Sequence, residues 1–542
     1  MDLYHQLELM VLMLILNFKK MKKILYILSL ISFSLVLDSC ADKFDEIDEN
    51  PNSTTNPLPT GLFNNATKEY IDYTRDAWVS GRMMLPWVQY SAQRIYTEED
   101  RYQYRLSTGV QLWTRSYYVA NDYKKIIDLN TDPLTKVQMA VYGANENQIA
   151  LSRIMLSYVF LNLVDAFGDV PYYSYGNKDA DFQALIVDEN LQPKFASQQK
   201  IYADIMKELK EASEMINPDA DLLTSGEQLF GNDPSKLKKF ANSLRLRVAV
   251  RVKGVVAGAE NHIVDAINSG VMTSNSDTVG LEYEANLVNP SPFFASYLSR
   301  SDFAISKTFV QLLKGEKGNF GLDPRIFKYA SPTAVKVGNI RNQNMFEATS
   351  ADDIHGMPYG VSSQISTTQA PSSSFFGASI LKPGFREILM EYSEVEFLLS
   401  EVNNWDQSHY EKGVKASLER WGVASSKISD YMNSLPTASK ENVLTQKYIA
   451  LFMQPAEAWA EYRRTGYPKT LLLPGQTADL NVATASGQTT YTFTPLIADL
   501  TDLPTRIYYP TTVQTLNTEN YKAASTAIGG DKMNTKLIWD KN

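Results

Sequence analysis

Cysteine and histidine are almost absent from this sequence. Cys40 is the only cysteine in 542 residues, which excludes an intramolecular disulfide and any metal site built from several thiolates. The four histidines, at positions 5, 262, 355 and 409, show no metal-ligand spacing such as HExxH. The sequence therefore shows no recognisable metal-binding motif, it predicts no cofactor, and it leaves open whether a structural metal is bound.

Blocks of positive charge and the common catalytic motifs are also missing. The formal net charge is -9, and no cluster of lysine and arginine interrupts the acidic balance, so we expect no nucleic-acid partner. The sequence contains no G-x-S-x-G elbow, no P-loop and no G-x-G-x-x-G. None of these motifs therefore argues for an enzyme.

One acidic stretch needs its own interpretation. The letters "EYSEVE" place Glu391, Glu394 and Glu396 close together. Paired carboxylates can hydrolyse glycosides, whereas the plainer interpretation is the solvated face of an amphipathic helix. We favour the helix face, and we predict that the protein is not an enzyme.

The position of Cys40 indicates a secretion signal. Lys22 and Lys23 precede an apolar run of 14 residues over 24–37, which is short for a membrane span and typical of a signal peptide. The following "LDSC" is similar to a bacterial lipobox, apart from its Asp38. We predict a signal peptide over 1–39 and a lipid anchor on Cys40, with Met21 as a second candidate for the initiator. The alternative is an ordinary signal peptide followed by a stray cysteine.

The chain after the cysteine divides into a tether and a folded body. Residues 40–58 are acidic and rich in Asn, Pro and Thr, without apolar periodicity, which predicts a flexible lipidated tether. Residues 59–542 then form a single body. A lipid chain and a tether hold such a body close to a membrane surface.

Helical pairs recur along the body. Ser197 and Asp233-Pro234 are helix-start signals for a pair over 198–217 and 234–252. Further pairs are predicted over 107–128 with 134–167 and over 385–405 with 408–423. A last helix over 441–467 is expected to kink or split at Pro455. This pattern predicts a mainly α fold of tetratricopeptide-like helix pairs.

Two long stretches do not fit the helical pattern. Residues 270–385 and 470–542 are rich in Ser, Asn, Gly and Pro, with short apolar clusters. Stretches of this length are too long for simple loops, so we predict a loop-rich, irregular subdomain with short strands.

Aromatic residues in irregular segments are the best candidates for a ligand site. Sugar rings present apolar CH faces that stack on aromatic rings, while their hydroxyls need polar partners. Any single ring is more often a core residue than a ligand contact. The predicted ligand-binding residues are Trp78, Tyr96, Tyr359, Phe375 and Phe376, with Arg94 and Asn344 as hydroxyl partners.

Several segments carry a family resemblance in their order and spread. They are "SCADKFDEIDENPN", "NQIALSRIMLSYVFLNLVDAFGDVPYY", "LKKFANSLRLRVAVRV", "DPRIFKY", "MEYSEVEFLLSEV" and "YIALFMQPAEAWAEYRRTGYP". Together they resemble the SusD/RagB family of nutrient-binding outer-membrane lipoproteins, in its SusD-like branch. The resemblance runs from Cys40 to the C-terminus, and Asp38 and Pro455 are its departures.

The resemblance implies a fold, a place and a partner. Four tetratricopeptide-like helix pairs would form a right-handed superhelix, with a variable, loop-rich half that carries the ligand site. The protein would be lipid-anchored on the cell-surface side of the outer membrane. There it would capture an oligosaccharide or a peptide and deliver it to a SusC-like TonB-dependent transporter, without performing chemistry.

Other functions remain open from the residues alone. The alternatives are a lipid-anchored peptide-binding protein, a tetratricopeptide-type scaffold and, less favoured, a glycan-degrading enzyme. The sequence does not indicate which nutrient is bound.

Overall fold

The structure is a computed structural model and describes residues 2–37, 57–186 and 190–540. It divides into two compact units, Met1–Pro57 and Leu58–Asn542. The described part of the first unit is a helix, α1 (Asp2–Leu37), which contains the predicted positive start and the apolar run. Cys40 and most of the predicted tether lie outside the described residues, so the lipid anchor remains a prediction.

The second unit opens with helices that pack one onto the next. They are α2 (Pro59–Thr74), α3 (Leu85–Trp87), α4 (Leu106–Thr131), α5 (Lys136–Met139), α6 (Asn145–Phe167), α7 (Gln198–Met215), α8 (Pro234–Arg251) and α9 (Ala259–Asn268). Helix α2 packs on α4, α4 on α6, and α6 through α9 each on the next. The two predicted pairs in this region are confirmed, although the helix expected from 134 breaks and resumes at Asn145.

Local signals explain where these helices begin. The Ser197 side chain accepts a hydrogen bond from the backbone N–H of Lys200, and α7 follows at once. Asp233 accepts from the backbone N–H groups of Ser235 and Lys236 at 2.8 and 3.2 Å, and Pro234 occupies the first turn of α8. Both caps satisfy N–H groups that have no partner inside the helix.

Helix α6 is the central core helix. Among the described residues it is the only helix long and apolar enough to cross a membrane, and 94% of its apolar window is buried inside the protein. Such burial is typical of a core helix that neighbouring helices cover on all sides.

A second helical group follows nearer the C-terminus. It contains α15 (Tyr392–Val402), α16 (Gln407–Arg420), α17 (Ser425–Asn433), α18 (Lys440–Ala450) and α19 (Pro455–Thr465). The expected break at Pro455 is confirmed, because α18 ends before it and Pro455 opens α19. Gly466 ends α19 with a φ of 72°, a left-handed conformation that suits glycine.

The prediction of a helix from residue 385 is wrong in its first part. Arg386–Met390 form a strand, β4, that pairs antiparallel with β2 (Val279–Glu282). The partner strand lies more than a hundred positions earlier in the sequence, so local periodicity cannot reveal it. The helix begins only at Tyr392.

The two irregular stretches contain short elements, as predicted. Strand β1 (Ser91–Gln93) pairs antiparallel with β3 (Phe303–Ile305), and β5 (Thr477–Asp479) pairs antiparallel with β6 (Thr490–Thr492). The short helices are α10 (Pro292–Ser299), α11 (Lys307–Leu313), α12 (Ile326–Tyr329), α13 (Val337–Arg341), α14 (Ser363–Gln369), α20 (Thr511–Leu516) and α21 (Thr518–Ala527). The second unit is therefore mainly α, with an irregular part between and after the helical groups.

Buried ion pairs join the two helical groups. Arg251 on α8 pairs with Asp165 on α6 and with Glu457 on α19. Arg247 on α8 pairs with Glu394 on α15 at 2.6 Å. Removing one partner of such a pair leaves a buried charge uncompensated, so these contacts fix how the helices are placed.

Candidate functional site

The structure brings Trp78 and Tyr96 together around one buried arginine. The guanidinium carbon of Arg82 lies 5.1 Å from the ring centroid of Trp78 and 5.0 Å from that of Tyr96. A cation at this distance from an aromatic ring is attracted by the ring's quadrupole. Arg82 therefore holds two of the predicted ligand residues in one place.

Arg82 itself is fixed by acidic partners. Its side chain is 3% exposed and forms ion pairs with Glu99 at 3.1 Å and with Asp302 at 2.6 Å. Both carboxylates are buried as well. Because two charged partners hold the guanidinium, the position of the rings above it is well defined.

The β1–β3 pairing places a second arginine at this surface. The backbone N–H of Arg94 donates to the carbonyl of Asp302 at 2.6 Å, which continues the pairing beyond Gln93. Arg300, just before β3, has its guanidinium carbon 5.1 Å from the Trp78 ring centroid. We call Trp78, Arg82, Arg94, Tyr96 and Arg300 the Trp78–Tyr96 surface.

A glycine lets the two sides of this surface approach. Gly81 lies in a π-helical turn, Ser80–Met84, beside β3. A Cβ on Gly81 would lie 2.9 Å from Cζ of Phe303, closer than such atoms pack. The missing side chain therefore allows Phe303 to pack against the turn that carries Arg82.

Tyr96 is the more accessible of the two rings. It is 52% exposed, and its φ of 60° is a left-handed conformation that non-glycine residues seldom adopt. Such conformations persist where surrounding contacts impose them, and they concentrate at functional sites. Trp78 is half-buried between Arg82 and Arg300. Tyr96 thus exposes more of its ring to solvent than Trp78 does.

Arg94 lies at the edge of the surface on a buried ring. Its guanidinium carbon is 4.2 Å from the centroid of Phe375, and burial lowers the pKa of Arg94. Its Nη1 has no hydrogen-bond partner among the described residues. The Phe375 ring therefore packs against the Arg94 guanidinium and does not face solvent.

Three of the predicted rings belong to the core, and their expected exposure is wrong. Tyr359, Phe375 and Phe376 are 1%, 3% and 0% exposed. Tyr359 packs edge-on against Phe493, with centroids 5.3 Å apart, and Phe376 stacks on Phe452 at 5.8 Å. The small Gly and Ser residues around these rings let them pack closely against the core, which leaves them inaccessible to a ligand.

Asn344 is exposed but is not connected to these residues. Its side-chain oxygen accepts a hydrogen bond from Asn339 at 3.3 Å, within the turn that follows α13. Among the described residues, the structure shows no contact from Asn344 to the Trp78–Tyr96 surface.

The solvated helix face predicted for "EYSEVE" is wrong. Glu391, Glu394 and Glu396 are all buried, and burial raises the pKa of Glu391 and of Glu394. Each is engaged by a basic residue: Glu391 by Arg420, Glu394 by Arg247, and Glu396 by His409 at 2.6 Å. Glu391 and Glu394 form ion pairs and Glu396 forms a hydrogen bond, and these contacts hold α15 against its neighbours.

Sequence reasoning missed Arg82 and Arg300. Arg82 lies four positions after Trp78, a spacing that brings side chains together on one helical face and could have suggested it. Arg300 reaches the surface only through the β1–β3 pairing, which no local pattern reveals.

A separate cleft lies on the helix-pair side of the molecule. It has a volume of about 740 Å³, and its walls come from α4, from segments near Pro171 and Pro193, and from α20. Trp113, Tyr117 and the 58% exposed Tyr118 line it, and it shares no residue with the Trp78–Tyr96 surface. We call it the Tyr118 cleft.

Comparisons with solved structures support the fold. A chitin-binding protein is 24% identical, with a TM-score of 0.69 over 89% of this chain and 100% of that chain. A Bacteroidetes SusD-like protein is 22% identical, with a TM-score of 0.70 over 89% and 100%. A SusD homolog from Bacteroides uniformis is 22% identical, with a TM-score of 0.68 over 90% and 100%. At these identities the similarity shows the fold alone.

A comparison of the sequence with family models identifies its family. No curated protein matches it. The family model SusD-like, described as "starch-binding associating with outer membrane", matches residues 51–491. That match covers most of the chain, and the chain therefore belongs to the SusD-like family.

Proposed function

We propose that this protein captures oligosaccharides at the bacterial cell surface, through the Trp78–Tyr96 surface, and performs no chemistry on them. Family membership supports glycan binding associated with the outer membrane. The observation that carries the choice of site is the pair of rings held on Arg82. No other group of the predicted ligand residues lies together with an exposed ring.

The chemistry of the surface suits a sugar. One side of the Tyr96 ring rests near Arg82, and its 52% exposure leaves apolar ring surface for the CH groups of a pyranose. Arg300 is 34% exposed and donates one hydrogen bond to Asp302 at 3.1 Å, with further N–H groups available for hydroxyls. Because these rings and donors are already held in place, they can orient a bound sugar with little loss of side-chain entropy.

Anchoring and delivery complete the proposal. A lipid on Cys40 would hold the body at the outer membrane, and a SusC-like TonB-dependent transporter would receive the ligand. Family membership supports both points, and recovery of such a barrel with the full-length protein from detergent-solubilised membranes would test the second.

Alanine variants test the proposed site. We expect the full-length protein in detergent micelles to bind a malto- or chito-oligosaccharide in isothermal titration calorimetry. Tyr96→Ala and Trp78→Ala should each weaken that binding about three- to tenfold, because each removes one stacking surface. Circular dichroism checks that the variants remain folded.

Control variants distinguish an error in the proposed site from an error in the proposed function. Tyr118→Ala removes an equally exposed tyrosine from the other cleft, and Trp405→Ala removes a half-buried tryptophan from the α15–α16 connection. Both should leave affinity unchanged. Loss of binding in Tyr118→Ala alone would move the ligand to the Tyr118 cleft. Binding of peptides, with no binding across a glycan array, would contradict the proposed function.

A further inference from the structure

An exposed apolar surface lies on the connection between α4 and α6. Leu134, Val137 and Val141 are 90%, 76% and 70% exposed. Their spacing of three and four positions places them on one face of this segment, which contains α5 and a following 3₁₀ turn, Ala140–Tyr142. We call these three residues the Leu134–Val141 surface. Large apolar side chains that share an exposed face mark a surface that binds something.

The connection is fixed to the body from within. The Gln148 side chain on α6 donates to the carbonyls of Met139 and Gly143 at 2.9 and 2.7 Å. The Asn145 side chain donates to the carbonyl of Lys136 at 2.9 Å. Met139 is 1% exposed, so it faces the core while the three aliphatic side chains face outward. The backbone that presents the Leu134–Val141 surface is therefore held in one conformation.

The packing of α2 on α4 shows at which end of the second unit this surface lies. The Phe63 ring lies 5.7 Å from the Tyr123 ring, and the Gln111 side chain donates to Asp76 at 2.9 Å, just after α2. Early residues of α2 thus meet late residues of α4, so the two helices run antiparallel. Helix α4 continues about 12 Å past Tyr123, whereas α2 begins about 6 Å before Phe63. The Leu134–Val141 surface follows the end of α4 and therefore lies at the end opposite Trp78.

The predicted tether joins the body at the same end. Leu58 directly precedes α2. The Asn64 side chain on α2 donates to the carbonyl of Gly226 at 2.6 Å, and the backbone N–H of Thr224 donates to the carbonyl of Tyr142 at 2.8 Å. The loop over 224–226 thus connects the beginning of α2 to the segment that carries the Leu134–Val141 surface.

We propose that the Leu134–Val141 surface rests on the outer membrane, with its three aliphatic side chains in the lipid interface. The proposal relies on the anchoring part of the proposed function. A lipid on Cys40 is separated from Leu58 by 17 residues, which span no more than about 60 Å when extended. Three aliphatic side chains bind a membrane weakly by themselves, but an anchor on the same chain raises their effective concentration at the lipid surface.

The charges near this surface indicate apolar rather than electrostatic attachment. Asp132 and Lys136 are the charged residues of the described connection between α4 and α6, and their charges balance. The Asn147 side chain, in the first turn of α6, holds the neighbouring loop by the carbonyl of Asp221 at 3.2 Å, and Asp219 and Asp221 are both exposed. Anionic lipids attract clusters of basic residues, so we expect the contact with lipid to depend little on salt or on anionic headgroups.

This placement keeps the ligand surface away from the lipid. Helix α2 has 16 residues and is about 24 Å long, and Trp78 follows its far end by four positions. A body that rests on the Leu134–Val141 surface would therefore present the Trp78–Tyr96 surface on the side from which soluble oligosaccharides arrive.

A fluorescent label at Val137 tests the contact. Acylation would occupy the thiol of Cys40, the only native cysteine, so Val137→Cys adds the one thiol that an environment-sensitive dye can modify. The protein is expressed with its signal peptide, purified from membranes and placed on phosphatidylcholine vesicles without any other protein. The emission of the dye should shift to the blue, lipids that carry a nitroxide should quench it, and 0.5 M (on the order of molar) salt should change neither result.

Val288→Cys is the matched control. Val288 is 83% exposed and lies five positions after Tyr283, whose hydroxyl donates to Asp72 in the last turn of α2 at 2.5 Å. A dye at this position should show neither the shift nor the quenching. In the Val137→Cys protein, replacement of Leu134 and Val141 by Gln should abolish both effects while the anchor keeps the protein on the vesicles.

The outcomes separate this contact from the proposed anchor. Mass spectrometry of the same preparation shows whether Cys40 is acylated. An acylated protein whose dye at position 137 stays in water would overturn the membrane contact alone, whereas a protein without acyl chains would overturn the anchor and the contact with it. A crosslink from position 137 to a barrel protein in cells, without quenching on vesicles, would assign the surface to the transporter instead.

Discussion

Trp459 shows how much one side chain can contribute to this fold. It is 1% exposed, its indole Nε1 donates to the carbonyl of Pro504 at 2.6 Å, and its ring lies 5.0 Å from that of Trp87. Arg463 lies over the same ring, with its guanidinium carbon 3.5 Å from the centroid. The "EAWAEYRRTGYP" segment is thus part of the core.

Trp459→Ala should therefore destabilise the protein without touching a ligand. We expect a loss of about 3–5 kcal/mol in the free energy of unfolding, because a large cavity opens and the Pro504 carbonyl loses its donor. Urea denaturation followed by circular dichroism measures it, with the half-buried Trp405→Ala as a comparison that should cost less. A variant that keeps its stability but loses oligosaccharide binding would show that the segment is a ligand site.

Helix α19 is held to its neighbours by charge as well as by packing. Glu461 pairs with Lys447 on α18 and with Arg464, both at 2.8 Å, and Arg464 also pairs with Glu401 on α15 at 2.7 Å. Burial alone would raise the pKa of Glu461, but Arg464 and Lys447 together hold that pKa well below its usual range. The charged carboxylate thus joins α19 to α18 and also holds Arg464, which joins α19 to α15.

Acid should weaken these helix contacts. A carboxylate whose pKa is lower in the folded state stabilises fully above the unfolded pKa, about 4.3, and progressively less as the pH falls below it. Glu461→Gln should lower the free energy of unfolding by about 3–5 kcal/mol at pH 7, since Lys447 and Arg464 lose a buried partner. Its free energy of unfolding should also fall less steeply than that of the wild type as the pH is lowered. Urea midpoints between pH 3 and pH 7 test this. The exposed Glu411→Gln should behave as wild type, and an unchanged acid limb in Glu461→Gln would contradict the assignment.

Across the whole chain, the sequence predicted what local signals determine. The helix starts at Ser197 and Asp233 and the break at Pro455 depend on residues within one turn of each other, and all three are confirmed. The burial of Glu394 depends on Arg247, 147 positions away, and a helical pattern cannot distinguish a solvated carboxylate from one paired at that distance. The Trp78–Tyr96 surface was predictable only in part, because Trp78 and Tyr96 come from neighbouring segments of the chain, whereas Arg300 reaches them through the β1–β3 pairing.

The predicted lipid anchor concerns the location of the entire molecule. Metabolic labelling with a palmitate analogue should mark the wild type and leave Cys40→Ala unmarked, since Cys40 is the only cysteine. Without its acyl chains, the mature variant should move from the membrane to the soluble fraction. Equal labelling of the two proteins would contradict the anchor.

The antiparallel pairing of β1 with β3 bears on how long a ligand of the proposed site would stay bound. Arg82 and Asp302, which hold the two sides of the Trp78–Tyr96 surface together, are 220 positions apart in the chain. The ribbon between these sides is only three residue pairs long, from Ser91 with Ile305 to Gln93 with Phe303. Proteins open locally where few contacts are buried, and every residue of both strands is buried. We therefore expect the two sides of the surface to separate rarely, so that the residence time of a sugar bound there would depend on its own contacts with Tyr96 and Arg300.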